Sequence, residues 1–403
     1  MRRCAPLLAA IVLAGCSIGG SDESGSGGSG LASSGSAPTS SQRQAAEKLG
    51  FPSVATRNTL RVGGGDAVAD LAGVAAAVFP ATTATDRPHA VVLVDKGDWQ
   101  GAVAASVLNA QPLGAPLLAS DGSKLPAATA DAIGRLKPRG SDLARDAQII
   151  RIGPKPPAPS GLKSGKISAA DPYRTAAAID RFFTAIRGKP SPHVIVASGE
   201  QAPYAMPAAA WAGRSGDSVL YTRKDAVPRA TMQAIAAHDR PDIYVLGPQD
   251  VISKSVETKL KQLGTVRRVD GPTPVANSVA LARYSRRGFG WGVTVPGYNF
   301  SLASTSRPLD AAAAATLATN GVFAPMLAFG KRSATYCRIA AFSVSTVPSS
   351  MRIAGTRPSG LTLRKSELSC STRFFLSTSR NCASPPASYS EIRVAIEQAS
   401  GEK

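Results

Sequence analysis

Residues that could carry out catalysis are few in this 403-residue chain. Its only histidines are His89, His193 and His238, and none stands in an HExxH pattern. No GxSxG pattern occurs, and no Cys/His spacing suits a metal site or a catalytic triad. Ser160–Lys163 has the SxxK spacing of serine acyltransferases, but it lies in a Pro/Gly/Lys-rich loop, whereas the motif needs a helix to place lysine over serine. We therefore expect no catalysis, no cofactor and no metal.

Cys16 is the one side chain for which the sequence predicts a covalent modification. Two basic residues, Arg2 and Arg3, precede an apolar run of about eleven residues that ends at Gly15. This run is too short to span a bilayer, which needs roughly 20 apolar residues, and the layout is that of a secretory signal. The run ends in Leu-Ala-Gly-Cys, which resembles the lipobox of bacterial lipoproteins. The resemblance implies a diacylglycerol on the Cys16 thiol and cleavage before it; the alternative is an ordinary signal peptide with a chance cysteine.

Basic residues are the other chemical signal, since the formal net charge is +19. Such a charge on an exported protein points to an anionic partner. Several basic residues stand at predicted strands or just after them, where open α/β sheets bind ligands, and guanidinium groups suit phosphate and carboxylate oxygens. The candidates are Arg57, Arg61, Arg151, Arg223, Lys224, Arg267 and Arg268. Solvated surface charge is the alternative for each of them. Nucleic acid is not expected as a partner, because aromatic residues do not interleave with the basic ones.

The elements that must position these residues recur along the chain. A short strand, a turn and a helix with a capping residue occur at Asp66, Asp171 and Thr273, which are spaced by about 105 and 102 residues. A second strand follows each helix, at residues 89–94 and 193–198 and, more weakly, at 291–295. Strands that alternate with helices of this length predict parallel βαβ units with right-handed crossovers. The sequence therefore predicts an α/β protein of tandem small open sheets.

The predicted organisation has six parts. They are a signal peptide at 1–15, a disordered Gly/Ser tether at 16–43, repeat modules at 44–165, 166–264 and 265–330, and a low-order tail at 331–403. The third module is predicted to be incomplete, because no closing helix and strand follow residue 330. A Gly/Ser tether of this length has a root-mean-square reach of roughly 30 Å.

The order of the motifs resembles the cell wall-binding repeat 2 family over about residues 57–330. The matching segments are Arg61–Gly64 before Asp66, Ala115–Leu118, Val194–Glu200 and Ile243–Pro248. The resemblance implies Rossmann/Toprim-like modules in a pseudo-threefold arrangement that bind an anionic cell-wall polysaccharide non-covalently. It also implies polymer sites near the module junctions, around the strand that contains Pro116, Leu117 and Leu118. The second module departs from this pattern, with Ser218–Tyr221 in place of Pro-Leu-Leu.

The segment from Lys331 to about Pro386 departs from the repeat altogether. It is rich in Ser, Arg and Thr, has no Asp, and contains Cys337, Cys370 and Cys382. Two hypotheses stay open for it. Either the reading frame has shifted near Gly330, or the segment is a disordered tail specific to this family.

These features together predict a lipoprotein on the outer face of the cytoplasmic membrane. Its partners would be the membrane, through the N-terminal lipid, and an anionic cell-wall polymer. The alternative is a solute-binding lipoprotein of a transport system, although that class has two lobes and a hinge, not three units. An uncharacterised wall enzyme is a third hypothesis, disfavoured by the missing catalytic residues.

Overall fold

The computed structural model describes residues 66–294, 299–319 and 325–330, together with the backbone of strands at 53–55, 59–62 and 392–396. The strands are β1 Ser53–Ala55, β2 Thr59–Val62, β3 Val91–Asp95, β4 Leu117–Ser120, β5 Ile149–Ile152, β6 Ser164–Ile167, β7 His193–Ser198, β8 Ser218–Thr222, β9 Asp242–Leu246, β10 Thr265–Val269, β11 Asn299–Ser304, β12 Met326–Phe329 and β13 Ile392–Ile396. The helices are α1 Ala67–Val78, α2 Trp99–Ala105, α3 Ala127–Leu136, α4 Pro172–Arg187, α5 Ala202–Ser215, α6 Arg229–Ala236, α7 Lys254–Leu260, α8 Pro274–Arg283 and α9 Asp310–Thr319.

Two four-stranded parallel sheets confirm the predicted α/β modules. The first has the order β4-β3-β5-β6, and the second has the equivalent order β8-β7-β9-β10. The strand that opens each repeat extends the sheet of the repeat before it, since β6 pairs with β5 and β10 pairs with β9. Neighbouring modules are thus joined through their sheets.

The third sheet has the order β1-β2-β13-β11-β12 and differs from the other two. Its strands β11 and β12 are parallel, but β13 lies antiparallel between β11 and β2. In the other sheets this place belongs to the parallel closing strand, β5 or β9. Among the described residues, the third sheet therefore contains no closing parallel strand, as the sequence predicts. β13 lies within the predicted low-order tail, and its Ile392, Val394 and Ile396 alternate as in a strand.

One predicted strand was wrong. Residues 291–295 were predicted to form the second strand of the third repeat, but residues 291–294 form no strand, and β11 takes the place that β3 and β7 have in the other sheets. Gly290 and Gly292 have positive φ values of 95° and 65°, so the backbone turns there. The Trp291 side chain packs edge-on against Trp211, with the two ring centroids 5.2 Å apart.

Three alanine-rich helices, α2, α5 and α9, pack together at the centre of the molecule. A Cβ on Gly213 of α5 would lie 2.8 Å from the carbonyl oxygen of Ala315 in α9, so only glycine permits this helix approach. Alanine allows the same closeness elsewhere, and Ala311–Ala315 are fully buried. The many alanines of the sequence therefore allow close packing of the helices in a central core.

The first helix of each module packs against the central helix of the module before it. The pairs are α4 with α2, α8 with α5, and α1 with α9. The last pair closes the series from the third module back to the first, which gives the pseudo-threefold arrangement.

The predicted capping residues are confirmed at all three first helices. Asp66 Oδ1 accepts from the amides of Val68 and Ala69 at 2.8 and 2.9 Å. Asp171 Oδ1 accepts from Arg174 N at 2.8 Å, and Thr273 Oγ1 accepts from Ala276 N at 3.2 Å. Such caps each stabilise a helix by about 1 kcal/mol. They also fix where each first helix begins at a module junction.

The predicted signal peptide, the tether and most of the tail lie outside the described residues. Within the part of the chain that is described, no helix is both long enough and apolar enough to cross a bilayer.

Candidate functional site

A cleft of about 260 Å³ lies at the junction of the first and second modules. The loops after β3 and β5 form one side of it, and the start of α4 forms the other. These loops follow the carboxyl ends of parallel strands, which is where open α/β sheets bind their ligands. The lining residues include Asp95, Asp98, Gly153, Lys155, Pro172 and Thr175.

Two carboxylates in the cleft have different electrostatic surroundings. Asp95 Oδ2 lies 2.8 Å from Lys155 Nζ, and Asp95 Oδ1 accepts from Gly122 N at 2.8 Å. Burial alone would raise the pKa of Asp95, but the hydrogen bonds from Lys155 and Gly122 and the Lys155 charge hold it below its usual value. Asp98 caps α2 through Gly101 N at 2.8 Å, and burial raises its pKa above the usual value. The cleft thus has one firmly ionised carboxylate and one that takes up a proton more readily.

Aromatic and polar groups join the two modules beside the cleft. Trp99 meets Tyr221 edge-on at 6.0 Å, and the Tyr221 hydroxyl donates to the Gln100 carbonyl at 2.7 Å. The side-chain amide Nε2 of Gln100 donates in turn to the Gly199 carbonyl at 3.3 Å. Because these bonds connect α2 to the second sheet, they hold the cleft at a fixed width.

An arginine lies at the outer edge of this junction. The Arg223 guanidinium is 5.3 Å from the centre of the Tyr173 ring and 3.9 Å from Glu200 Oε1. A Cβ on Gly199 would come within 2.9 Å of Tyr173, so glycine is needed where the ring crosses the backbone. An aromatic ring with an exposed guanidinium over it can bind a polar ligand that also carries negative charge.

Comparison with known proteins identifies the second module. Residues 166–257 match the family model of cell wall binding domain 2 (CWB2). A segment of 79 residues is 33% identical to the amidase enhancer of Bacillus subtilis (strain 168), and covers 20% of this chain and 11% of that protein. The CWB2 segment at residues 166–257 begins within β6, the strand that pairs with the first sheet, and ends within α7.

Two solved structures share the fold. Cwp6 from Clostridium difficile is similar with a TM-score of 0.57 and 17% identity, over 69% of this chain and 43% of that one. Cwp8 from the same organism has a TM-score of 0.55 and 20% identity, over 70% of this chain and 46% of that one. The chain thus spans less than half the length of either structure. The likeness supports the module architecture beyond the CWB2 segment.

Two of the predicted binding residues lie exposed at the junction, in the CWB2 segment. Arg223 and Lys224 follow β8 at the carboxyl edge of the second sheet, and Lys224 N donates to Glu200 Oε2 at 3.1 Å. Arg151 lies on β5 and is partly buried; its Nη1 donates to the Pro156 carbonyl at 3.4 Å. Of the predicted cations described here, Arg223 and Lys224 are therefore the ones with side chains open to a polymer.

Five other predicted residues lie on or beside strands and have buried or partly buried side chains: Pro116, Leu117 and Leu118 at β4, and Arg267 and Arg268 in β10. The side chains of Pro116, Leu117 and Leu118 are buried, and both leucines are 0% exposed. They belong to β4 or directly precede it and pack in the core, so their side chains offer no surface to a polymer, and their predicted role in binding stays a prediction.

The two arginines of β10 are largely enclosed. Arg268 Nη1 donates to the Gly247 carbonyl at 2.6 Å, and its Nη2 lies 3.1 Å from Glu257 Oε2. Arg267 Nη2 lies 3.9 Å from Asp242 Oδ1. The Arg268 guanidinium ties β10 to α7 and to the loop after β9, so it is engaged within the protein, and its predicted binding role stays a prediction. Arg57 lies outside the described residues, and Arg61 lies in β2, where only the backbone is described.

The sequence missed the residues in and beside the cleft. Asp98 lines it, and Gln100 and Tyr173 lie beside it. All three come just after a predicted strand or helix start, which could have marked them. Lys155 lies in the Pro/Gly/Lys-rich loop that the sequence treated as a connector. Among the described residues, no group of three or more His, Cys, Asp or Glu side chains could hold a metal ion.

Proposed function

We propose that this chain is a lipid-anchored surface protein that binds an anionic cell-wall polysaccharide non-covalently through its tandem modules. The observation that carries the proposal is the CWB2 match at residues 166–257, with Arg223 and Lys224 exposed beside the junction cleft. Its role is binding without catalysis.

The proposed binding mode combines charge with contacts to sugar rings. Arg223 and Lys224 attract carboxylate or phosphate groups on the polymer, while Trp99 and Tyr173 offer partly exposed rings beside the cleft. Asp95 and Asp98 are suited to hydroxyl groups, since carboxylate oxygens accept hydrogen bonds. A repeated polymer can contact several modules at once, which strengthens the attachment without a single strong site.

The main test measures retention of the protein on purified wall polymer. The double variant Arg223→Ala/Lys224→Ala should be retained about tenfold more weakly, and wild-type retention should weaken as salt rises. Lys254→Ala/Lys259→Ala is the matched control, because it removes the same charge from exposed positions on α7. Equal weakening by both pairs would show that net charge alone acts, and salt-independent retention would contradict the charge-based mode.

The anchor is tested separately with Cys16→Ser. We expect the variant to leave the membrane fraction while its wall-polymer binding in solution stays unchanged. Two or more acyl chains are needed for firm attachment, so loss of the diacylated thiol should release the protein. Continued membrane association of Cys16→Ser would contradict lipidation at this residue.

A further inference from the structure

A groove of about 420 Å³ lies on the second module between α4 and α6. Small side chains line its base, and charged and polar ones surround it. The lining residues are Ala169, Arg174, Ala177, Arg181, Arg229, Ala230 and Gln233. We refer to this feature as the arginine groove.

Helix geometry sets the position of the three arginines. Arg174 and Arg181 are seven residues apart on α4, so they lie on the same face about two turns from each other. Arg229 is the first residue of α6 on the opposite side. The N-cap position of α6 is Pro228, and no side chain caps its amides. The start of α6 therefore adds free N–H donors and a partial positive charge to the groove.

The charges of the groove are poorly neutralised within the protein. The side chains of Arg181 and Arg229 form no ion pair or hydrogen bond with any residue that the structure describes, and both are exposed. Arg174 Nε lies 3.5 Å from Asp171 Oδ2, and the Arg174 side chain is 63% exposed. Three guanidinium groups thus face a concave surface with one solvated carboxylate beside them.

The first module shows that the fold does not need these arginines. Its helices α1 and α3 occupy the equivalent places, as Asp66 corresponds to Asp171 and Thr129 to Thr231, both threonines donating to a strand carbonyl. The positions equivalent to the groove residues Arg174, Arg181, Arg229 and Gln233 are Ala69, Ala76, Ala127 and Asp131. Because alanine occupies the equivalent positions in the first module, packing does not require the arginines of the second module.

We propose that the arginine groove is a binding site for a phosphate group carried on a sugar- or glycerol-sized unit. The groove adjoins the junction cleft, with which it shares the lining residue Ala169, but the three arginines do not line that cleft and the proposal does not depend on the function proposed for it. Guanidinium groups pair with phosphate through two parallel hydrogen bonds, and several of them can share its oxygens, whereas one arginine already satisfies both oxygens of a carboxylate. The volume of the groove falls in the range of small-ligand sites, roughly 300–1,000 Å³.

The test uses the whole protein with inorganic phosphate and glycerol 3-phosphate as probes. Binding is followed by NMR through the side-chain Nε–H signals of Arg174, Arg181 and Arg229, which should shift together. The triple variant Arg174→Ala/Arg181→Ala/Arg229→Ala should bind glycerol 3-phosphate at least about tenfold more weakly. Glycerol 3-phosphate should bind more tightly than inorganic phosphate, since only the former fills the groove.

The matched control is Lys124→Ala/Lys254→Ala/Lys259→Ala, which removes the same charge from exposed positions outside the groove. It should bind the probes as the wild type does. Equal weakening in both triple variants, or no probe binding by the wild type, would overturn the proposal. Retention on wall polymer is measured in parallel, and loss there in Arg223→Ala/Lys224→Ala with normal probe binding would separate the two sites.

Two further arms identify the source of the phosphate. Competition by phosphate-containing fragments of wall polymer would assign the groove to the wall, and competition by vesicles with phosphatidylglycerol would assign it to the membrane surface. Vesicle binding that depends on the three arginines without any binding of glycerol 3-phosphate would overturn the proposal, because it would indicate a flat electrostatic contact.

Discussion

Two module junctions place a carboxylate at the start of the central helix, but its surroundings are opposite in the two cases. Asp98, at the start of α2, lines the open cleft between the first and second modules. Asp310, at the start of α9, is 0% exposed at the junction of the third module with the first. Burial raises the pKa of both, and it raises that of Asp310 to about 8.

The neighbours of these carboxylates explain the difference. Arg307 Nη2 lies 2.7 Å from Asp70 Oδ2, and its Nε lies 3.2 Å from Asp310 Oδ2. One guanidinium thus faces two buried carboxylates, so Asp310 keeps its proton near neutral pH while Asp70 is the ion-pair partner. In the open junction Thr175 takes the place of Asp70. The repeat therefore accommodates a carboxylate either in a hydrated cleft or in a sealed cluster, and the hydrated junction is the one suited to a ligand.

Replacing Arg307 should give the largest effect. Arg307→Ala removes the guanidinium that lies 2.7 Å from Asp70, a carboxylate that is 0% exposed. Breaking one side of a buried ion pair costs about 3–5 kcal/mol of the free energy of unfolding, and denaturant titration followed by circular dichroism measures it.

The matched variant is Lys155→Ala in the open junction. Lys155 contacts Asp95 at 2.8 Å, but its side chain is 63% exposed, so water replaces it readily. We expect a far smaller loss of stability than in Arg307→Ala. Similar losses in the two variants would contradict the distinction between a sealed and a hydrated junction.

Much of the fold was predictable because it depends on local patterns. A buried run rich in β-branched residues, such as Val194–Ala197, marks a strand, and a capping residue such as Asp171 marks the start of a helix. Both signals are local, so they hold whatever the arrangement of the modules. The wrong strand at residues 291–295 arose because Val293 and Val295 alternate with polar residues, while the glycines that turn the chain come just before them. Pairing of β13 depends on contacts between residues far apart in the sequence, which a local pattern cannot specify.

The site was less predictable, because the role of each side chain depends on the residues that contact it in the folded protein. Arg223 and Arg268 both lie at the carboxyl side of the second sheet and look equivalent in sequence. Glu257 approaches Arg268 from α7 and encloses it, whereas Arg223 stays 60% exposed beside Glu200. A basic residue after a strand predicts a candidate, and only the tertiary neighbours show whether its charge is free for a ligand.

The next largest effect should be a difference between the two junctions in how the free energy of unfolding depends on pH. The folded-state pKa of Asp310, about 8, lies above its ordinary value of 3.8, so the folded protein retains a proton that the unfolded chain loses. Stability from this group is therefore complete below pH 3.8 and is lost as the pH rises towards 8, by at most about 1.4 kcal/mol per pH unit. Asp310→Asn should remove this slope. We would measure unfolding at several pH values for both proteins; parallel curves would show that Asp310 ionises normally.

Replacing Asp98 should give the smallest effect and make the comparison sharper. Asp98→Ala removes the cap on Gly101 N and should cost about 1 kcal/mol in unfolding free energy. Asp98→Asn keeps an oxygen acceptor at that place and should recover most of the loss. Since Asp98 is next to a cleft where water can reach it, Asn should alter the pH dependence less than Asp310→Asn does. A pH effect as large as that of Asp310→Asn would mean that this junction is also sealed, and it would argue against the cleft as a ligand site.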